Sequence, residues 1–117
     1  MANPKELQLE NKIKKTRESL LTIGDMRSGS LTKQYRDPKN KKGGYWSLSY
    51  TSKMRSHTQH IFPEHVQETR RQILQYKKFK KLMILWIDLA RKLCELKIKN
   101  RKLAFQKSAP LQNKLSL

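Results

Sequence analysis

Tyr45-Trp46-Ser47-Leu48-Ser49-Tyr50-Thr51-Ser52 alternates large apolar residues with small polar ones, the period of two that marks a strand buried on one face. Trp46, Leu48 and Tyr50 fall on one side, and Tyr45, Ser47, Ser49 and Thr51 on the other. The first set predicts a core face. The second is polar and small, so it is left to solvent or to a ligand. Working outward, Ser30–Arg36 and Arg55–Phe62 read as two further strands. Residues 37–44, with Asp37, Pro38, Asn40, Gly43 and Gly44, have turn chemistry throughout. Lys53-Met54 is short enough for a tight hairpin, although it lacks the Asn-Gly signature. Three sequential strands with short links predict an antiparallel meander.

Helical periodicity brackets this region. Leu9, Ile13, Thr16, Leu20 and Ile23 follow a 4-3-4-3 spacing, an apolar helical seam. Asn3 suits its N-cap, Pro4 its first turn, and Gly24 its end. Beyond the sheet, Pro63-Glu64 opens a second helix with an N1 proline and an acidic first turn. Val66, Ile73, Phe79, Leu82, Trp86, Leu89, Leu93 and Leu96 then form a long apolar stripe. One helix is expected from Pro63 to near Lys102. Its distal half needs a second partner, either the N-terminal helix or the same helix of another copy. The fold class is therefore α+β, with an N-terminal helix (1–24), a sheet-plus-long-helix domain (25–106) and a flexible tail (107–117).

Composition bounds the function. The 117 residues carry 27 Lys and Arg against 9 Asp and Glu, a formal charge of +18. A compact fold with that surplus repels itself unless an anion neutralises it, so a polyanion is the first partner to expect. Apolar residues make up 36%, which argues against an enzyme built around a deep apolar pocket. The single cysteine, Cys94, excludes an intramolecular disulfide and fits a reducing, cytoplasmic location. The longest apolar run, Leu82 to Ile87, is far too short to span a membrane. The N-terminus has no apolar segment of the secretory type.

Three stretches taken together resemble a known family. They are Ser28-Gly29-Ser30-Leu31-Thr32-Lys33-Gln34-Tyr35, then Gly44-Tyr45-Trp46-Ser47-Leu48-Ser49-Tyr50, and Phe62-Pro63-Glu64-His65-Val66 followed by Tyr76-Lys77-Lys78-Phe79-Lys80. The combination is similar to a small prokaryotic domain family of unknown function, often encoded in or near transposons and other mobile elements. That family's pattern is a Gly-Ser-Leu opening, a Tyr-x-Leu-x-Tyr strand, a Pro-Glu helix start and a Tyr-x-x-Phe/Leu-Lys helix. The resemblance covers Met26 to Leu89, about half the chain. It implies a mobile-element context and a nucleic-acid connection, and it brings no catalytic residues.

Candidate binding residues fall in three groups. Lys33, Tyr35, Tyr45, Ser47, Ser49, Thr51, Arg55, His57 and Gln59 would share the polar sheet face if the register of the outer strands allows, with Arg36 beside them. A three-stranded sheet can lay such a face in a major groove, where Lys, Arg and Gln reach base edges. Lys39, Lys41 and Lys42, next to two glycines, suit phosphate contact without reading sequence. On the second helix Arg70, Lys77 and Lys81 lie near one edge and Arg71 and Lys78 on the next, with Lys80 nearby. The bland alternatives are a solvated sheet face, a solvated turn and a solubilising helix face. The last usually mixes charge signs, which this stretch does not. From Lys97 onward the cations read instead as the flanks of a dimer helix.

Other chemistry finds little support. His57 and His60 are three apart on a strand and point to opposite faces, which breaks a zinc site. Cys94 is expected to be a buried, inert thiol, and Trp46 and Trp86 to pack between sheet and helix. The nine acids are scattered, and no Arg-His cluster is linked to Tyr35, Tyr45 or Tyr50 as nucleophile. The sequence thus predicts a non-catalytic nucleic-acid-binding protein without cofactor or metal, with DNA expected ahead of RNA. The second expectation is an adaptor that forms a homodimer through Phe79, Leu82, Trp86, Leu89 and Leu93.

Overall fold

The structure, a computed structural model, describes residues 3–108, the side chains of 106–108 excepted. In order it contains α1 (Pro4–Leu21), β1 (Ser30–Asp37), β2 (Lys42–Ser52), β3 (Arg55–Ile61), a 3-10 turn (Pro63–His65) and α2 (Val66–Ser108). The three strands form one antiparallel sheet in the order β1-β2-β3. This is the α+β arrangement the alternation in β2 and the flanking helical seams predict.

The chain forms two compact units. One runs from Thr22 to Lys81, and the other joins α1 to α2 from Leu82 on. The division differs from the one drawn on sequence because α2 is continuous and contributes to both. Lys107 and Ser108, assigned to a tail, still belong to α2, while 109–117 lie outside the described residues.

In the sheet unit, Leu48 is fully buried and forms a core with Ile61, Val66 and Ile73, against which Leu31, Trp46 and Tyr50 pack. Burying a side chain of Leu48's size contributes about 1.5–3 kcal/mol. The segment before β1 is tied to α2: Gly24 N–H donates to Gln75 Oε1 (3.1 Å), and Arg27 N–H to the Gln72 carbonyl (3.1 Å). Gly24 and Ile23 therefore belong to this connection, since α1 ends at Leu21. Lys53 (φ 52°) and Met54 (φ 65°) both sit in the left-handed region, the geometry of a type I′ hairpin built without glycine.

In the helical unit, Asn3 caps α1 by accepting the Lys5 N–H on Oδ1 at 2.9 Å. Asn100 Nδ2 donates to Glu6 Oε1 (2.9 Å), Lys97 lies 3.8 Å from Glu10, and the Arg17 guanidinium sits 5.6 Å from the Trp86 ring centre. Residue numbers on α2 fall as those on α1 rise, so the pair is antiparallel. Within this unit the buried positions are Thr16 on α1 and Leu89 on α2. Trp86 therefore belongs to this unit, not to the packing between sheet and helix expected of it.

Candidate nucleic-acid interface

Strand register decides which side chains share the open face of the sheet. Leu31 lies opposite Leu48, Lys33 opposite Trp46, and Tyr35 opposite Gly44. On the other side Ile61 pairs with Trp46, Gln59 with Leu48, His57 with Tyr50, and Arg55 with Ser52. Directly paired residues point to the same face. Lys33, Tyr35, Arg55, His57 and Gln59 are thus on the Trp46/Leu48/Tyr50 side, contrary to the grouping read from sequence. Tyr45, Ser47, Ser49 and Thr51 keep their place on the open side. They are joined there by Ser30, Thr32, Gln34, Ser56, Thr58 and His60. That face is rich in hydroxyls, not basic, and Arg36 is its cation. The signal for this was the apolar pair Leu31 and Ile61, which set the parity of the outer strands once assigned to the core.

The cations of the sheet unit gather elsewhere. The two hairpin turns cap opposite ends of the strands. Lys39, Lys41 and Lys42 stand at one end, where Asn40 Nδ2 donates to Asp37 Oδ2 at 2.9 Å and ties the turn. Lys53 and Arg55 stand at the other. Lys33 and Arg70 meet at one ring: Lys33 Nζ is 5.9 Å and Arg70 Cζ 4.9 Å from the centre of Trp46. Lys33 Nζ is also 5.8 Å from the Tyr35 ring. Arg70 and Lys77 line a groove of about 350 Å³ with Gly29, Ser30 and Leu31 of the β1 side. Lys80 Nζ lies 5.7 Å from the Tyr76 ring. Arg71, Lys78 and Lys81 are exposed on α2.

What neutralises these charges differs between the two units. The sheet unit has fourteen Lys and Arg against four Asp and Glu. Among the described residues, every ion pair lies in the helical unit. There Asp88 holds Arg91 (2.9 Å) and Lys92 (3.0 Å), and Arg91 reaches Glu95 (3.1 Å). Hydrogen bonding from Lys92, then Arg91, holds the Asp88 carboxyl below its usual range. Asp88 and Glu95 in turn raise the Arg91 guanidinium. In the sheet unit Lys33, Arg70 and Lys80 lie beside aromatic rings instead, and Arg27 donates to Gln59 Oε1 (2.8 Å).

Another sequence expectation is corrected. Cys94 is exposed, because it lies on the side of α2 away from Leu89. Phe79, Leu82, Trp86 and Leu93 are half-buried and Leu89 buried within single units of this chain. The distal seam is filled by α1 of the same chain. Among the described residues no group of three or more His, Cys, Asp or Glu converges as a metal site would, and no helix is long and apolar enough to cross a membrane.

No protein-family model, curated protein or solved structure matches the chain.

Proposed function

We propose that the protein binds nucleic acid without catalysing a reaction on it, through the cations of the sheet unit. The observation that carries this reading is the unpaired surplus there: fourteen cations, four acids, and no ion pair among the described residues. Lysine and arginine left without carboxylate partners release condensed counterions when phosphates take their place. Arg36, Lys39, Lys41 and Lys42 at one end of the sheet, with Lys33, Arg70, Arg71, Lys77, Lys78 and Lys81 along β1 and α2, are the proposed phosphate contacts. Arg55, at the far hairpin, is a separate contact. DNA is the expected target, and a mobile element or virus-like replicon the expected setting, on the resemblance carried by residues 26–89.

Fluorescence anisotropy with duplex DNA, single-stranded DNA and RNA tests this. Reversing Arg70 and Lys77 to Glu should weaken binding at least tenfold. Reversing Lys99 and Lys102, in the helical unit, should change it much less. Equal effects of the two double variants would contradict the assignment to the sheet unit.

A second reading, self-association through α2, has one observation in its favour. Ile84, Ile87 and Ile98 are exposed (65%, 63% and 54%) on the same side of the helix as Cys94. Ile87→Lys is the variant for it, because Leu89 is buried within the chain. Light scattering on the wild type and Ile87→Lys at high concentration reads it directly, and a wild-type monomer would remove it.

A further inference from the structure

β2 outruns β3. Its pairing with β3 begins at Trp46, whereas its pairing with β1 extends to Lys42. Over residues 42–45 the edge of β2 turned away from β1 has no strand beside it among the described residues, and the chain leaves β3 through Phe62 and Pro63. The result is a notch of about 460 Å³ lined by Lys33, Arg36, Gly43, Gly44, Tyr45 and His60, with Trp46, Ile61 and Pro63 at its base. That volume lies in the range of small-ligand sites.

Two glycines let cations from the far side of β2 reach this notch. A Cβ at Gly44 would stand 2.8 Å from Lys33 Cε, and one at Gly43 would stand 3.1 Å from Arg36 Cβ. Lys33 and Arg36 differ by three along β1, so they cross β2 on opposite faces of the sheet. Gly43 also holds φ +68°, where a side chain is strained. The aromatic side of the notch is fixed in place. Tyr45 Oη donates to Gln34 Oε1 at 3.0 Å, and its ring centre lies 6.2 Å from that of His60. His60 meets Phe62 edge-on at 4.9 Å.

Two cations, an unpaired strand edge able to hydrogen-bond, and a held aromatic ring are the complement of one nucleotide: phosphate, base edge and base face. We infer that the notch takes a single unpaired nucleotide of a bound strand, its base against Tyr45 and His60 and its phosphate between Lys33 and Arg36. This inference rests on the nucleic-acid reading above and specifies the form of the target: a duplex with an end, flap or bulge, in preference to a continuous one. Stacking on an aromatic side chain is sequence-tolerant, so the notch recognises that a base is unpaired and not which base it is.

The test compares a blunt duplex with the same duplex carrying a short single-stranded overhang, at one salt concentration. The readout is the ratio of the two affinities, in which general changes in charge or stability cancel. The wild type should prefer the overhang at least tenfold. Tyr45→Ala should bring the ratio close to one. His60→Ala, at an exposed site, should lower it too and serves if Tyr45→Ala does not fold. A 2-aminopurine in the overhang should change fluorescence on binding to the wild type and not to the variants. A wild-type ratio near one with firm binding to both probes overturns the inference and leaves the charge reading standing. So does a ratio that survives both substitutions. A free nucleoside monophosphate that displaces the overhang at matching affinity overturns the choice of a strand as ligand. Failure to bind either probe overturns the charge reading and this inference together.

Discussion

Ser47 sits at the centre of the open sheet face yet is 2% exposed, and its Oγ has no hydrogen-bond partner. Burying an unpaired hydroxyl costs free energy that no contact returns. Ser47→Ala should therefore leave stability unchanged or raise it by up to about 1 kcal/mol. Leu48→Ala, next to it in the core, should lower stability by about 2–5 kcal/mol. Urea titrations of the two variants check the contrast. The alternation along β2 made the side of both residues legible, because period two needs no partner strand. The positions of Lys33 and His57 were not legible in the same way, since one residue of slip in an outer strand reverses every side chain. Asp88 makes the stability of the helical unit depend on pH. Its carboxyl is held low by Lys92 and Arg91, so its contribution is present above the ordinary carboxylate range and is lost as pH falls through the depressed value. NMR titration should place its midpoint below that of an ordinary aspartate, and Asp88→Asn should flatten the acid limb of the stability curve.

Among the elements, the β2–β3 hairpin carries an evident strain. Lys53 and Met54 adopt positive φ without glycine, and Met54 is 99% exposed. A left-handed conformation costs an ordinary residue about 1–2 kcal/mol, and Asn-Gly is the sequence that adopts this turn most readily. Replacing the pair by Lys53→Asn and Met54→Gly should raise stability by about 1–2 kcal/mol, read as a higher denaturation midpoint at unchanged slope. The short link announced a tight turn, but nothing in the letters Lys-Met announced its type. The helices show the same division. The 4-3-4-3 seam of α1 and the 3-4 stripe of α2 were visible as faces that need cover. Which face would cover which was not, because two seams of one chain and two copies of one seam look alike in sequence. Within the one chain α1 covers α2, through the Asn100–Glu6 and Lys97–Glu10 contacts among others. Leu89→Lys should accordingly unfold the helical unit and not merely separate a dimer, with a loss of far-UV helical signal at every concentration.

At the scale of the molecule, a charge of +18 over 117 residues was legible at once, whereas its division was not. Carboxylates and cations pair along α2 beyond Leu82 and against α1, and the cations of the sheet unit remain free of ion pairs among the described residues. Such pairing is a property of side-chain placement, which composition averages away. In the proposed function, phosphates take the place the missing carboxylates leave. Its most direct test is the affinity of the intact protein for a fixed nucleic-acid probe, followed across a salt series from 50 to 200 mM. If about six to eight of the proposed cations contact phosphates at once, affinity should fall by roughly three to four decades over that range, linearly in the logarithm of salt concentration. Binding that is absent at the low end, or that holds constant across the series, would contradict phosphate contact by these cations.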